Sequence, residues 1–276
     1  NFSTLTYSVT YWLREPGLLG TLFGRVLACS GYRQIADELK VSHTTVQRQV
    51  ERLGRHCLLL HEKLRPAGPP REPLVLDGLR SFEASQYWPF DLNVLVGSSH
   101  FIYGFNDAEL RRSGCMKPGQ RRKRVRLEQR HGRPEPQATR SAVEELLGRI
   151  VPLGASARLD CDEHPAYPQA LRRLNDRRIE LRQPSSREAR TRANPLFPAN
   201  LADLLLRHTG ANHKRETIAF SKRRQSALYR AAIWTVWRNY VKSSSERRRS
   251  PPPGVRLGLI PERLRTEEIL VRRIFV

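Results

Sequence analysis

Between Pro73 and Phe105 three short apolar runs follow one another closely, and this pattern limits the folds open to the chain more than any other. The first, Pro73-Leu74-Val75-Leu76-Asp77-Gly78-Leu79-Arg80-Ser81-Phe82, reads as a buried strand that ends in an acid. The next two, Leu92-Asn93-Val94-Leu95-Val96 and Phe101-Ile102-Tyr103-Gly104-Phe105, are separated by Gly97-Ser98-Ser99 and read as a hairpin. Three consecutive antiparallel strands over 73–105 are therefore expected. A carboxylate at the end of a buried strand is costly unless it turns, pairs or binds a metal. The simplest account of Asp77-Gly78 is a turn after the strand.

The order of the following elements adds to that account. Residues 107–131 read as a very basic helix, and Gly132 to Pro136 break the chain. Ser141 to Ile150 is a further helix, and Ala155-Ser156-Ala157-Arg158-Leu159 a fourth strand followed by Asp160 and Asp162. A helix around Tyr167 to Leu174, a fifth strand near Ile179-Glu180-Leu181 and a helix holding Leu201, Asp203, Leu204, Leu205 and Arg207 complete the series. This predicts a mixed α/β fold, ribonuclease-H-like over 72–245, with a central mixed five-stranded sheet. Acids then fall at the end of the first strand, just after the fourth, and on the helix beyond the fifth. Two divalent cations beside a scissile phosphate need carboxylates so placed, one bridging both ions, and Asp77 on the central strand suits that role.

Residues 1–65 read as a helical domain in front of this body. Leu18, Leu19, Leu22, Phe23, Val26 and Leu27 recur at helical spacing over 17–29, and Ser30-Gly31 ends that helix. A short helix with Ile35, Ala36 and Leu39 follows, then a tight turn in which Ser42 can cap a second helix carrying Val46, Val50 and Leu53 inward. This is the helix-turn-helix pattern, whose second helix enters the major groove. His43, Thr44, Thr45, Gln47 and Arg48 are the expected base and phosphate contacts, with Arg52 and Arg55 reaching the backbone. Lys plus Arg outnumber Asp plus Glu by 49 to 27, a net charge of +22, which favours a polyanionic partner. Arg65 to Arg71 reads as a linker.

At Val75-Leu76-Asp77-Gly78, Asp162-Glu163-His164-Pro165-Ala166-Tyr167, Asn200-Leu201-Ala202-Asp203-Leu204-Leu205-Leu206-Arg207-His208 and Asn212-His213-Lys214-Arg215-Glu216-Thr217-Ile218-Ala219-Phe220-Ser221-Lys222-Arg223 the chain resembles bacterial insertion-sequence transposases with an acidic-triad (DDE) ribonuclease-H-like domain. The resemblance covers most of 31–245. It implies Asp77 and Asp162 as ligands of Mg²⁺ or Mn²⁺ in a two-metal site, with Asp160 as the alternative to Asp162. Where the family has Glu, this chain has Asn200, a neutral and poorer ligand. Asp203, three residues on, can supply the missing carboxylate, and Glu216 is the outside candidate. The resemblance further implies strand cleavage and transfer on double-stranded DNA. Lys214, Arg215, Lys222 and Arg223 would meet the backbone, and the chain would assemble as a homo-oligomer on paired ends. A non-catalytic DNA-binding protein that lacks a complete metal site is the alternative, and Asn200 favours it.

Cys29, Cys57, Cys115 and Cys161 stand far apart, which argues against a zinc ribbon in this chain and against a disulfide framework. No apolar run approaches the ~18 residues of a membrane span. A reduced, cytoplasmic, nucleoid-associated protein is expected. Tyr229, Ile233, Val236, Trp237 and Tyr240 read as a core-facing stripe. Ser243 to Pro253 reads as an exposed linker, and 254–276 as an accessory tail with a short helix between Pro261 and Arg272.

Overall fold

The computed structural model describes residues 6–185, 187–189, 191–214, 217–245, 248 and 250–274. It opens with α1 (Leu18–Leu27), α2 (Tyr32–Leu39) and α3 (His43–Leu64). α2 stops where Lys40 turns left-handed at φ 54°. Ser42 then starts α3, its hydroxyl accepting the Thr45 N–H at 3.1 Å. Ile35, Ala36, Val46, Val50 and Leu53 are buried, so the apolar spacing puts those faces where it foretold. Ser42→Ala removes the cap and is expected to cost about 1 kcal/mol, read as a lower urea midpoint.

Five strands form one sheet in the order β3-β2-β1-β4-β5. These are β1 (Leu74–Phe82), β2 (Pro89–Gly97), β3 (Ile102–Glu109), β4 (Ser156–Cys161) and β5 (Arg178–Arg182). β1, β2 and β3 run as an antiparallel meander, while β4 lies parallel to β1, and β5 parallel to β4. The mixed five-stranded sheet expected from the element order is the sheet that forms, with β1 at its centre.

Two boundaries differ from the expectation. Residues 107–109 continue β3, and α4 (Pro118–His131) begins only at its proline. Asn93 donates from its side chain to the Asn106 carboxamide at 3.1 Å, and Asn106 donates to the Ala142 carbonyl at 2.6 Å. Pairing across the hairpin thus holds a polar stretch extended that local composition alone reads as helix. β4 runs on through Cys161, which places Asp160 inside the strand and not beyond it.

The remaining helices are α5 (Ala138–Ile150), α6 (Ala166–Arg173), α7 (Phe197–Thr209), α8 (Arg224–Val236) with a π-helical turn at Trp237–Val241, α9 (Pro253–Arg256) and α10 (Thr266–Val271). α5 packs on β3, and α7 on β1 and β2. Tyr229, Ile233, Val236 and Tyr240 are buried, as their spacing foretold. The buried carboxamide of Asn239 receives the Ile102 N–H at 2.9 Å and donates to the Ile102 carbonyl at 2.8 Å, which satisfies an edge position of β3.

A single buried cluster joins Leu22, Leu53, Leu76, Ile233 and Ile269, so front helices, sheet and C-terminal segment share one core. The segment foreseen as an accessory tail is embedded: Ile269 and Leu270 are buried, and His56 on α3 donates from Nε2 to the Ile269 carbonyl at 2.7 Å. Among the described residues no helix is long and apolar enough to cross a membrane.

Candidate functional site

The parallel pairing of β1 with β4 ends at Leu76 opposite Cys161, so Asp77 and Asp162 occupy the next step of the register. Neighbouring strands lie about 4.8 Å apart, which makes these two acids neighbours where β4 ends beside the middle of β1. Asp160, by contrast, stands one pair earlier, opposite Val75, and is 2 % exposed. Its Oδ2 takes the Arg158 Nη2 at 3.3 Å, and its Oδ1 has no hydrogen-bond partner.

Asp77 is half-buried and Asp162 exposed. Each carboxylate is held by a local backbone donor. Gly78 N–H donates to Asp77 Oδ1 at 2.7 Å, and His164 N–H to Asp162 Oδ1 at 3.0 Å. The turn expected at Asp77-Gly78 does not form: β1 continues through both residues, which pair with Val94 and Asn93 of β2, so Asp77 stands inside the strand at the point where its pairing with β4 stops. The combined field is visible in two buried neighbours. Burial, then the charges of Asp162 and Asp77, push the Tyr167 phenol far above its ordinary value. Burial first, then Asp162, with Asp160 and Asp77 acting in the same sense, push the Cys161 thiol up to about 12.

α7 brings the third element along β1 and β2. Its Phe197 meets the His100 ring in the β2–β3 turn, with centroids 6.0 Å apart. Towards its other end Arg207 lines a cavity of about 440 Å³ with Arg80, Ser81, Phe82 and Lys214. Asn200 and Asp203 sit between these points, both half-buried, three residues apart and so on neighbouring positions of the helix surface. Among the described residues, however, no group of three or more His, Cys, Asp or Glu side chains could hold a metal ion. The ligand trio expected at Asp77, Asp162 and Asp203 does not close into a divalent-cation site as these residues stand. Glu216 and Arg215 lie outside the described residues.

The expected nucleic-acid contacts divide into two kinds. His43, Thr44 and Arg48 are exposed on the first turns of α3, with Thr45 half-exposed beside them. Gln47 is tied to Glu51 through Nε2 at 2.9 Å, and Arg52 donates from Nη2 to the Tyr11 carbonyl at 2.5 Å. Both are therefore committed within the fold, because each has a local acceptor in reach. Lys214, Lys222 and Arg223 are exposed, with Lys222 Nζ over the Phe220 ring at 3.3 Å from its centre. Arg33, Arg80, Arg207 and Arg230 were not singled out by sequence reasoning, yet line the cavities beside these residues. Only Arg230 carried a signal, as a charge inside the apolar stripe of α8.

No protein-family model matches the chain, and no curated protein matches it. Among solved structures, the chain is similar to a chain of the simian T-cell lymphotropic virus intasome in complex with the PP2A regulatory subunit B56 gamma, determined by cryo-electron microscopy. The match has 15 % identity over 83 % of this chain and 68 % of that one, with a TM-score of 0.28. A likeness at that level carries no argument about activity, which rests on the residues alone.

Proposed function

We propose that this chain binds duplex DNA through the N-terminal half of α3 and acts on its strands as a transposase of the acidic-triad kind. The observation behind this reading is the register step that sets Asp77 beside Asp162 at the end of the central parallel strand pair. A net charge of +22 supplies the electrostatic attraction to a polyanion. The exposed Arg48 and His43 provide groove contacts, and the cationic cavity lined by Arg207 and Lys214 lies at the far end of β1.

Mg²⁺ or Mn²⁺ would activate the attacking oxygen and stabilise the departing one in such a centre. The described residues do not gather three ligands for such an ion. The chain's own contribution is to fix two carboxylates by backbone donors and to present cations to the phosphates. Asn200, where the family has Glu, favours a second reading, in which the chain binds DNA without cutting it.

Nicking of supercoiled plasmid by the full chain, with Mg²⁺ or Mn²⁺, separates the two. Metal-dependent nicking that disappears in Asp77→Ala while duplex binding persists supports the transposase reading. Binding without nicking in either metal supports the second. Nicking that survives Asp77→Ala removes that residue from the mechanism. Independently, Arg48→Ala is expected to weaken duplex binding about tenfold, as loss of one groove-facing arginine does. Fluorescence anisotropy at fixed salt reads it, and an unchanged dissociation constant would remove α3 from the interface.

A further inference from the structure

A cavity of about 590 Å³ lies between the start of α2, the first turns of α3 and the chain entering α8. Its wall holds Arg33, Lys222, Arg223 and Arg230, and no carboxylate is among the described residues that line it. Ser226, in the first turn of α8, and Gln47 add neutral polar groups. Two helix N-termini, those of α2 and α8, thus open on a space surrounded by cations, and both present partial positive charge to it.

Arg230 is the informative member. It is 5 % exposed, and its Nη2 donates to the backbone carbonyls of Val26, at 3.3 Å, and Ser30, at 3.0 Å. Its Nε hydrogen meets no acceptor, and its guanidinium stands 5.2 Å from the centre of the Tyr32 ring. Burial pulls its pKa below the ordinary arginine value. A buried cation held by carbonyl dipoles and the Tyr32 side chain is expensive, and an anion entering the cavity would offset that cost.

We propose that this cavity is a phosphate-binding site, occupied by a backbone phosphate of the polynucleotide that α3 engages. This assignment of source rests on the DNA-binding reading above, whereas the anion chemistry of the cavity does not. The phosphate would tie the start of α2 to the start of α8, so that binding at α3 is read by the helix that packs against it.

The test uses the full chain, with inorganic phosphate and a duplex oligonucleotide as separate probes in chloride buffer. Phosphate should bind saturably and shift the backbone amides of Gly31–Gln34 and Ser221–Ser226. Arg230→Met, or the exposed pair Arg33→Ser with Arg223→Ser if the buried variant fails to fold, should weaken phosphate and duplex binding at least tenfold each. Phosphate that does not saturate, or that shifts the basic helix α4 equally, overturns the site. Loss of phosphate binding with duplex binding unchanged assigns the cavity to free phosphate and overturns the polynucleotide source. Phosphate binding in a chain that binds no duplex overturns the DNA reading and that source together, while leaving the anion site in place.

Discussion

Gly54→Ala is expected to lower stability by about 2–3 kcal/mol, although the same exchange in an unhindered helix gains roughly 0.5–1 kcal/mol. At Gly54 a methyl group would stand 2.4 Å from Tyr229 Cβ and 2.8 Å from Tyr229 Cα. The second of these is backbone, so no rotamer change relieves the contact, and α3 and α8 must separate. Gly24, inside α1, has nothing within 4 Å of that position and is the natural control. Urea midpoints should therefore move in opposite directions, down for Gly54→Ala and up for Gly24→Ala. Equal shifts would mean that α3 and α8 do not touch at this glycine. The packing matters for function because α3 supplies exposed groove-facing residues at one end and core residues at the other.

The second large effect is a loss of stability in mild acid. His61 is buried with both ring nitrogens engaged: Nε2–H donates to the Tyr103 carbonyl at 3.1 Å, and Nδ1 accepts the Tyr240 hydroxyl at 3.1 Å. The neutral ring satisfies both contacts, with its proton on Nε2 because the carbonyl can only accept. Burial depresses its pKa to about 4. His213, buried near Arg230 and Arg207, is depressed to about 3, again chiefly by burial. His56 is lowered for the same reason.

Between those values and the ordinary 6.5 of histidine the unfolded chain binds more protons than the folded one. Stability is then fully present above pH 6.5 and is lost as the pH falls through the window towards the folded values. At pH 5 each of His61 and His213 should cost about 2 kcal/mol relative to pH 8, roughly 4 kcal/mol together. Denaturation midpoints at pH 8 and pH 5 measure this, and His61→Gln should remove about half of the difference. A midpoint that does not change between the two values would mean that these histidines are not buried neutral.

Much of the architecture was legible because it rests on local spacing. Apolar residues three and four apart gave α1, α2 and α3, and Ser42 marked the start of α3 because its hydroxyl can satisfy an unpaired helix N–H. The strand runs around Asp77, Leu92 and Phe101 gave the meander. The end of β3 was not legible, since Asn106, Asp107 and Glu109 are poor strand residues held by partners on β2 and α5. The burial of α10 was hidden for a similar reason. A short apolar patch at Ile269 and Leu270 cannot declare its partner in advance.

At the candidate site the division is sharper. Sequence placed acids at the end of the first strand, after the fourth and on a later helix, because element order and residue type are local properties of the chain. Only the tertiary structure decided that Asp162 and not Asp160 is the register neighbour of Asp77, since register depends on which residues of two distant strands pair. It also decided that Asp203 does not complete a metal-holding group with them among the described residues, and that Arg230 lies buried beside a cationic cavity. Distances between residues far apart in sequence are fixed by helix and strand packing, and no residue type or spacing encodes them one position at a time.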